Sequence, residues 1–157
     1  MCIRDRISIV AIGRARISFE AKLFEYYSDK LTQWKITLIE KEVRKQVAPN
    51  KTISAEGDLI SRAIPKDSFL VALDENGKQV SSKEFANILS HQKDFGCGEI
   101  TFLIGGANGL SPTLITRADL VLSLGRLTWP HLLARVLLIE QIYRAQQIII
   151  GHPYHRG

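Results

Sequence analysis

The 157-residue chain carries 21 Lys or Arg against 16 Asp or Glu, a formal charge of +5, with 45% apolar and 24% charged residues. That balance supports a packed core and excludes wholesale disorder, and the length suits one domain. No membrane span fits, because the apolar runs near the C-terminus are broken by Arg135, Glu140 and Gln147, well short of the ~20 residues a bilayer requires.

The first six residues, MCIRDR, lack apolar alternation and lead into no cleavage signature, so no secretory signal is expected. They read as a frayed or non-native extension, with the domain running over 7–157. Beyond them, short β-branched runs alternate with amphipathic segments, as in a parallel sheet with crossover helices. Strands are predicted at ISIVAI (7–12), KITLIE (35–40), FLVALD (69–74), EITFLI (99–104) and DLVLSL (119–124). Helical spacing predicts helices over FEAKLFEYYSDKL (19–31), near SAEGDLISRAI (54–64), over SKEFANILSHQKDF (82–95) and over SPTLITRA (111–118), with a long helix from Trp129 to Ile149. Residues 43–58 mix charge with Pro49 and Gly57 and predict a loop before a helix. The fold class is a single-domain α/β protein with a mostly parallel sheet of five or six strands flanked by helices.

Charge concentrates toward the end of the chain. Residues 107–157 hold five Arg against Asp119 and Glu140, together with His131, His152 and His155. Arg suits bidentate phosphate contacts and stacking on bases, which points to a polyanionic partner; a merely solvated basic surface is the equal alternative. The two cysteines, Cys2 and Cys97, are too few for a disulfide framework or a metal cluster, which suits a reducing, cytoplasmic setting.

Three segments follow late strands, where open α/β sheets bind ligands. VALDENGK, read alone, is a turn at Asn76 and Gly77. FLIGGANGL places Gly105, Gly106 and Gly109 between a strand and a helix that starts near Ser111 and Pro112. Its spacing is GGxxG, and Gly125 stands where a nicotinamide-dinucleotide site needs an acid, so a dehydrogenase is disfavoured. In LSLGRLTWPHLLAR, a loop over 125–128 leads to Pro130, which opens the last helix with Thr128 or Trp129 near its cap. Backbone N–H groups there suit a carboxylate or phosphate. His131 and Arg135, four apart, share a helix face, with a surface His and a surface Arg as the ordinary reading.

Arg144 follows Glu140 by four residues, the spacing of a surface ion pair. The ending GHPYHRG gathers His152, Tyr154, His155 and Arg156 within five residues. Two His without an acid or thiol are an incomplete metal set, so no metal is expected. The group could instead supply a proton acceptor and a phosphate contact.

Taken together, LDENGK, FLIGGANGLS, LSLGRLTWPHLLARVLLIEQIYRA and GHPYHR resemble, from Ile7 onward, the small SPOUT-class methyltransferases that modify N3 of a pseudouridine in large-subunit (23S) ribosomal RNA. The resemblance implies a C-terminal trefoil knot and S-adenosylmethionine held by Leu73, Gly105, Leu124, Gly125, Arg126, Leu127, Thr128 and Trp129. It also implies a homodimer in which one subunit's tail completes the other's site, acting on helix 69 of the assembled ribosome. On this reading His155 is the candidate general base and His131 its alternative. Arg144 and Arg156 would hold phosphate or stabilise the anionic base, and Tyr154 would stack on or hydrogen-bond to the nucleotide. A non-catalytic RNA-binding or ribosome-associated factor, using the basic surface alone, is the alternative from a different class.

Overall fold

A computed structural model describes residues 5–44, 47–96 and 98–157; Cys2 and Cys97 lie outside the described residues. The elements run β1 (Arg6–Ile12), α1 (Phe19–Ser28), β2 (Lys35–Lys41), α2 (Pro49–Ala63), β3 (Phe69–Gln79), α3 (Ser82–Phe95), β4 (Glu99–Ile104), α4 (Pro112–Arg117), β5 (Leu120–Ser123) and α5 (His131–Ile149). Five strands form one sheet in the order β2-β1-β4-β3-β5, every pair parallel.

Side chains of a strand alternate between faces, and a parallel sheet buries both. Ile7, Ile9 and Ala11 of β1 and Ile100, Phe102 and Ile104 of β4 pack with Phe24 of α1, Leu89 of α3 and Leu138, Ile139 and Ile142 of α5. Val10 and Ile12, with Leu70 and Leu103, meet Ile60 of α2 and Leu114 of α4 on the opposite face. After α4 the chain lays β5 outside β3 and returns as α5 under the first face.

Several boundaries differ from the sequence expectation. Strand β1 begins at Arg6, whose N–H donates to Gly98 O, and Asp5 is buried with its carbonyl accepting from Lys35 N–H. Backbone pairing on both sides recruits these residues without apolar alternation; of the expected extension, residues 1–4 lie outside the described residues. The loop expected over 43–58 is helical from Pro49, because proline fits the first turn of a helix, where its missing N–H has no partner to lose. The turn expected at Asn76 and Gly77 is instead the middle of β3, which bulges so that Leu73 and Lys78 both pair with Leu122 of β5. Gly77 serves close approach rather than a turn: a Cβ there would fall 2.7 Å from Val121 O. Strand β5 is shorter than expected, and α5 starts at His131 instead of Trp129.

Arg135 on α5 is 2% exposed, so the surface reading of this residue is overturned. Its Nη2 donates to Gly13 O (2.9 Å) and Ile12 O (3.2 Å), and its Nη1 to Glu40 Oε2 (2.5 Å). Glu40 Oε2 also accepts from Ala15 N–H at 2.7 Å. Burial pushes the Glu40 carboxyl up, but the Ala15 N–H and the Arg135 guanidinium outweigh it and leave the group below its ordinary value. A depressed carboxylate stabilises the fold above its unfolded pKa, and that stabilisation is lost as pH falls through the folded value. Glu40→Gln should therefore lower the urea midpoint at pH 7 by an amount equivalent to roughly 1.5–3 kcal/mol. The gap to wild type should close as pH falls below about 4; a pH-independent gap would show that the charge contributes nothing.

Candidate functional site

The bulged middle of β3 and the carboxyl ends of β4 and β5 open into one cleft of about 760 Å³. Its walls are residues 73–75 of β3, the loop 104–109 after β4, and Leu124, Gly125, Leu127, Thr128 and Trp129 after β5. Pro130, His131 and Ala134 at the start of α5 close it. Ser123 ties two walls together: its Oγ lies 3.1 Å from Glu75 O and accepts from Gly125 N–H at 3.1 Å. Gly125 adopts φ +116°, which a side chain would strain, and nothing stands within 4 Å of where its Cβ would be, so main chain faces open space there. In the loop after β4, Gly109 N–H donates to Gly106 O at 3.0 Å and closes a tight turn.

Most of the expected cofactor residues meet in this cleft: Leu73, Gly105, Leu124, Gly125, Leu127, Thr128 and Trp129 all line it. Arg126 does not; its side chain is exposed and lies outside the lining. Neither Thr128 nor Trp129 caps α5, because Pro130 is the N-cap and makes no side-chain capping bond. Thr128 Oγ1 instead lies 3.5 Å from Glu75 Oε2. His131 lines the cleft, and its Nε2 would sit 3.1 Å from a Cβ on Gly13.

The remaining expected residues gather elsewhere. Gly151, at φ +77°, ends α5, with His152 N–H donating to Gln147 O and Gly151 N–H to Ile148 O, which turns the tail back along the helix. Tyr154 then packs edge-on to Tyr143 (4.9 Å between centroids) and donates its O–H to Glu140 Oε1 at 3.0 Å. Arg144 donates to the same oxygen from Nε (3.0 Å) and Nη2 (2.6 Å), lies over the Tyr154 ring, and reaches His155 Nδ1 from Nη1 at 3.2 Å. Arg156 is exposed. Thirteen residues separate His131 from Arg144, about 20 Å along a helix, so one chain carries the cleft and the tail cluster at opposite ends of α5.

Glu140 is the hub that sequence reasoning missed. Its ion pair with Arg144 was visible as an i, i+4 spacing, but the return of Tyr154 onto it depends on the cap at Gly151. Asp74, Glu75 and Ser123 lie in segments that drew attention for following late strands, but no local pattern singled out these side chains themselves. Burial, then the bond to Glu140, pushes the Tyr154 phenol well up from its ordinary value, and the bond to Glu140 raises Arg144. In an alkaline absorbance titration, one of the four tyrosines should therefore stay protonated after the others ionise, and Tyr154→Phe should remove that late step. Glu140→Gln should speed amide exchange over residues 152–156 by about tenfold, with little change in global unfolding.

Comparison with known proteins adds a family. The sequence family described as "Predicted SPOUT methyltransferase" matches residues 6–155. The ribosomal RNA large subunit methyltransferase H of Rhodospirillum centenum is 48% identical over 152 residues, covering 97% of this chain and 99% of the relative. Among solved structures, a probable methyltransferase from Bordetella pertussis aligns with a TM-score of 0.60 at 15% identity, covering 90% of this chain and 96% of that one. The SpoU methyltransferase AviRb from Streptomyces viridochromogenes, solved in complex with the cofactor AdoMet, aligns at 0.50 and 12% identity, over 94% of this chain and 60% of that one. At these identities the two structures speak for the fold alone.

Proposed function

The chain belongs to the SPOUT methyltransferase family, and from that premise we propose that it is an S-adenosylmethionine-dependent methyltransferase of large-subunit ribosomal RNA. The target we infer is N3 of a pseudouridine in helix 69, presented on the assembled ribosome in the cytoplasm. The carrying observation is the three-walled cleft at the strand ends, closed by the start of α5. Its volume lies within the usual range for small-molecule sites. Apolar Leu73, Leu124 and Trp129 suit a purine, main chain around Gly125 suits close approach, and Asp74 and Glu75 suit a ligand bearing positive charge. Bound there, S-adenosylmethionine would supply an electrophilic methyl group on a sulfonium. The family's trefoil knot is part of the same reading, supported by the path of β5 outside β3 and of α5 beneath the other face.

The residues of the tail would handle the substrate. Methylation at N3 requires that nitrogen to lose its proton, and a positioned base contributes roughly 10²- to 10⁴-fold. Arg144 donates to His155 Nδ1, which requires a lone pair on that nitrogen and, in a neutral ring, leaves the proton on Nε2. Nδ1 is then the basic atom, free to take the N3 proton once Arg144 turns to a phosphate or to the anionic base. Tyr154, kept neutral beside Glu140, would pack against the nucleotide, and Arg156 would hold phosphate. His131, at the cleft, is the alternative base.

With cleft and tail about 20 Å apart along α5, a homodimer with the helices antiparallel would place each tail beside its partner's cleft. Exposed Ile17, Phe19, Leu127 and Leu133 offer apolar surface for such a partner to cover.

Calorimetry should show S-adenosylmethionine binding to the folded dimer; no binding would favour the non-catalytic, RNA-binding alternative. Labelled cofactor incubated with ribosomes, separated subunits and naked RNA should mark one pseudouridine, mapped by mass, on ribosomes. His155→Ala retaining the wild-type single-turnover rate at neutral pH would remove that residue as the base. Gly125→Val and His155→Ala should each be inactive alone, whereas mixed dimers should recover about a quarter of the sites. No recovery on mixing would place cleft and tail of one site in a single chain.

A further inference from the structure

The buried titratable group that neither cleft nor tail uses is Glu56, in the middle of α2. It is 7% exposed, and no donor or cation among the described residues pairs with it. Burial pushes its carboxyl up from the ordinary glutamate range, which favours the uncharged form. The side chain points at the backbone of Gly106: a Cβ there would fall 2.5 Å from Glu56 Oε2, 3.3 Å from its Cδ and 3.1 Å from Ile12 Cγ2. The next residue repeats the relation, since a Cβ on Gly57 would fall 2.8 Å from Oγ of Ser111, the N-cap of α4. Two successive residues of α2 thus contact both ends of the stretch 106–111. That stretch includes the turn whose other side lines the cleft, while Glu56 itself is not part of the lining.

We propose that Glu56 is a positioning residue for the cofactor cleft, bracing Gly106 from behind and setting how far the 105–109 turn stands toward the ligand. The proposal rests on the cofactor reading of that cleft. A buried carboxyl without a cationic partner acts through shape and contact, so a side chain of the same shape serves equally and a methyl group does not. Position 106 is glycine because the brace occupies the space a Cβ would need.

Calorimetric titration with S-adenosylmethionine tests this on the full-length dimer. Glu56→Gln should bind within about twofold of wild type, and Glu56→Ala and Gly106→Ala should each bind about tenfold more weakly. The double variant E56A/G106A should bind about as weakly as E56A alone, not the roughly hundredfold weaker expected of independent losses, because with the brace removed the new Cβ meets no carboxylate. Steady-state rates should show the same changes in KM for the cofactor, with kcat at saturation much less affected, a split that general destabilisation would not produce. Glu56→Asp should fall between wild type and E56A, which keeps the test open if E56A folds poorly. Additive losses in the double variant, or wild-type affinity in E56A, would overturn the brace while leaving the cleft's assignment intact. A wild-type dimer that does not bind S-adenosylmethionine would overturn the cofactor reading and the brace with it.

Discussion

One guanidinium fixes the geometry on which the cleft depends. Arg135 reaches from α5 across the end of the sheet to two carbonyls of the β1 exit and to the Glu40 carboxylate on β2. An Arg this deeply buried is costly unless its charge is matched and its donors are used. Those partners stand together at only one place in the fold, so the first turn of α5 is held there. The wall formed by Pro130, His131 and Ala134 is located by this contact, and with it the fourth side of the cleft.

The same helix separates the cleft from the tail cluster. Near its start, the surroundings are main chain, apolar side chains and the carboxylates of Asp74 and Glu75, suited to a compact ligand. Near its end, Glu140 organises Arg144, Tyr154 and, through Arg144, His155 into a partly exposed polar cluster. Partial exposure suits a substrate whose bulk must remain outside the protein, as a large RNA must.

The strands were legible because both faces of a parallel sheet are buried, which leaves short β-branched runs that few other structures produce. EITFLI matches β4 residue for residue, and SKEFANILSHQKDF matches α3, where Ser81 and Glu84 form a capping box. Legibility failed where one residue type serves two purposes. Gly77 was read as a turn but admits the backbone of β5, and Pro49 was read as a loop but starts a helix. The glycine loop and the start of LSLGRLTWPHLLAR drew attention by their place after late strands, whereas their assignment to a cofactor residue by residue came only from whole-motif resemblance. Contacts distant in sequence, such as Arg135 with Glu40 or Tyr154 with Glu140, leave no local pattern, because each partner is ordinary where it stands.

The abrupt end of α5 at Gly151 has a bearing on how this chain can vary. Between the cleft and the tail cluster the helix behaves as a rigid ruler, and its graduations are angular as well as linear. One inserted or deleted residue would shift the tail by only about 1.5 Å but swing it about 100° around the axis, turning Arg144 and Glu140 away from the side they now face. Composition along α5 is therefore free to drift wherever packing allows, while its residue count is not. The interval between Pro130 and Gly151 is held as a unit of phase.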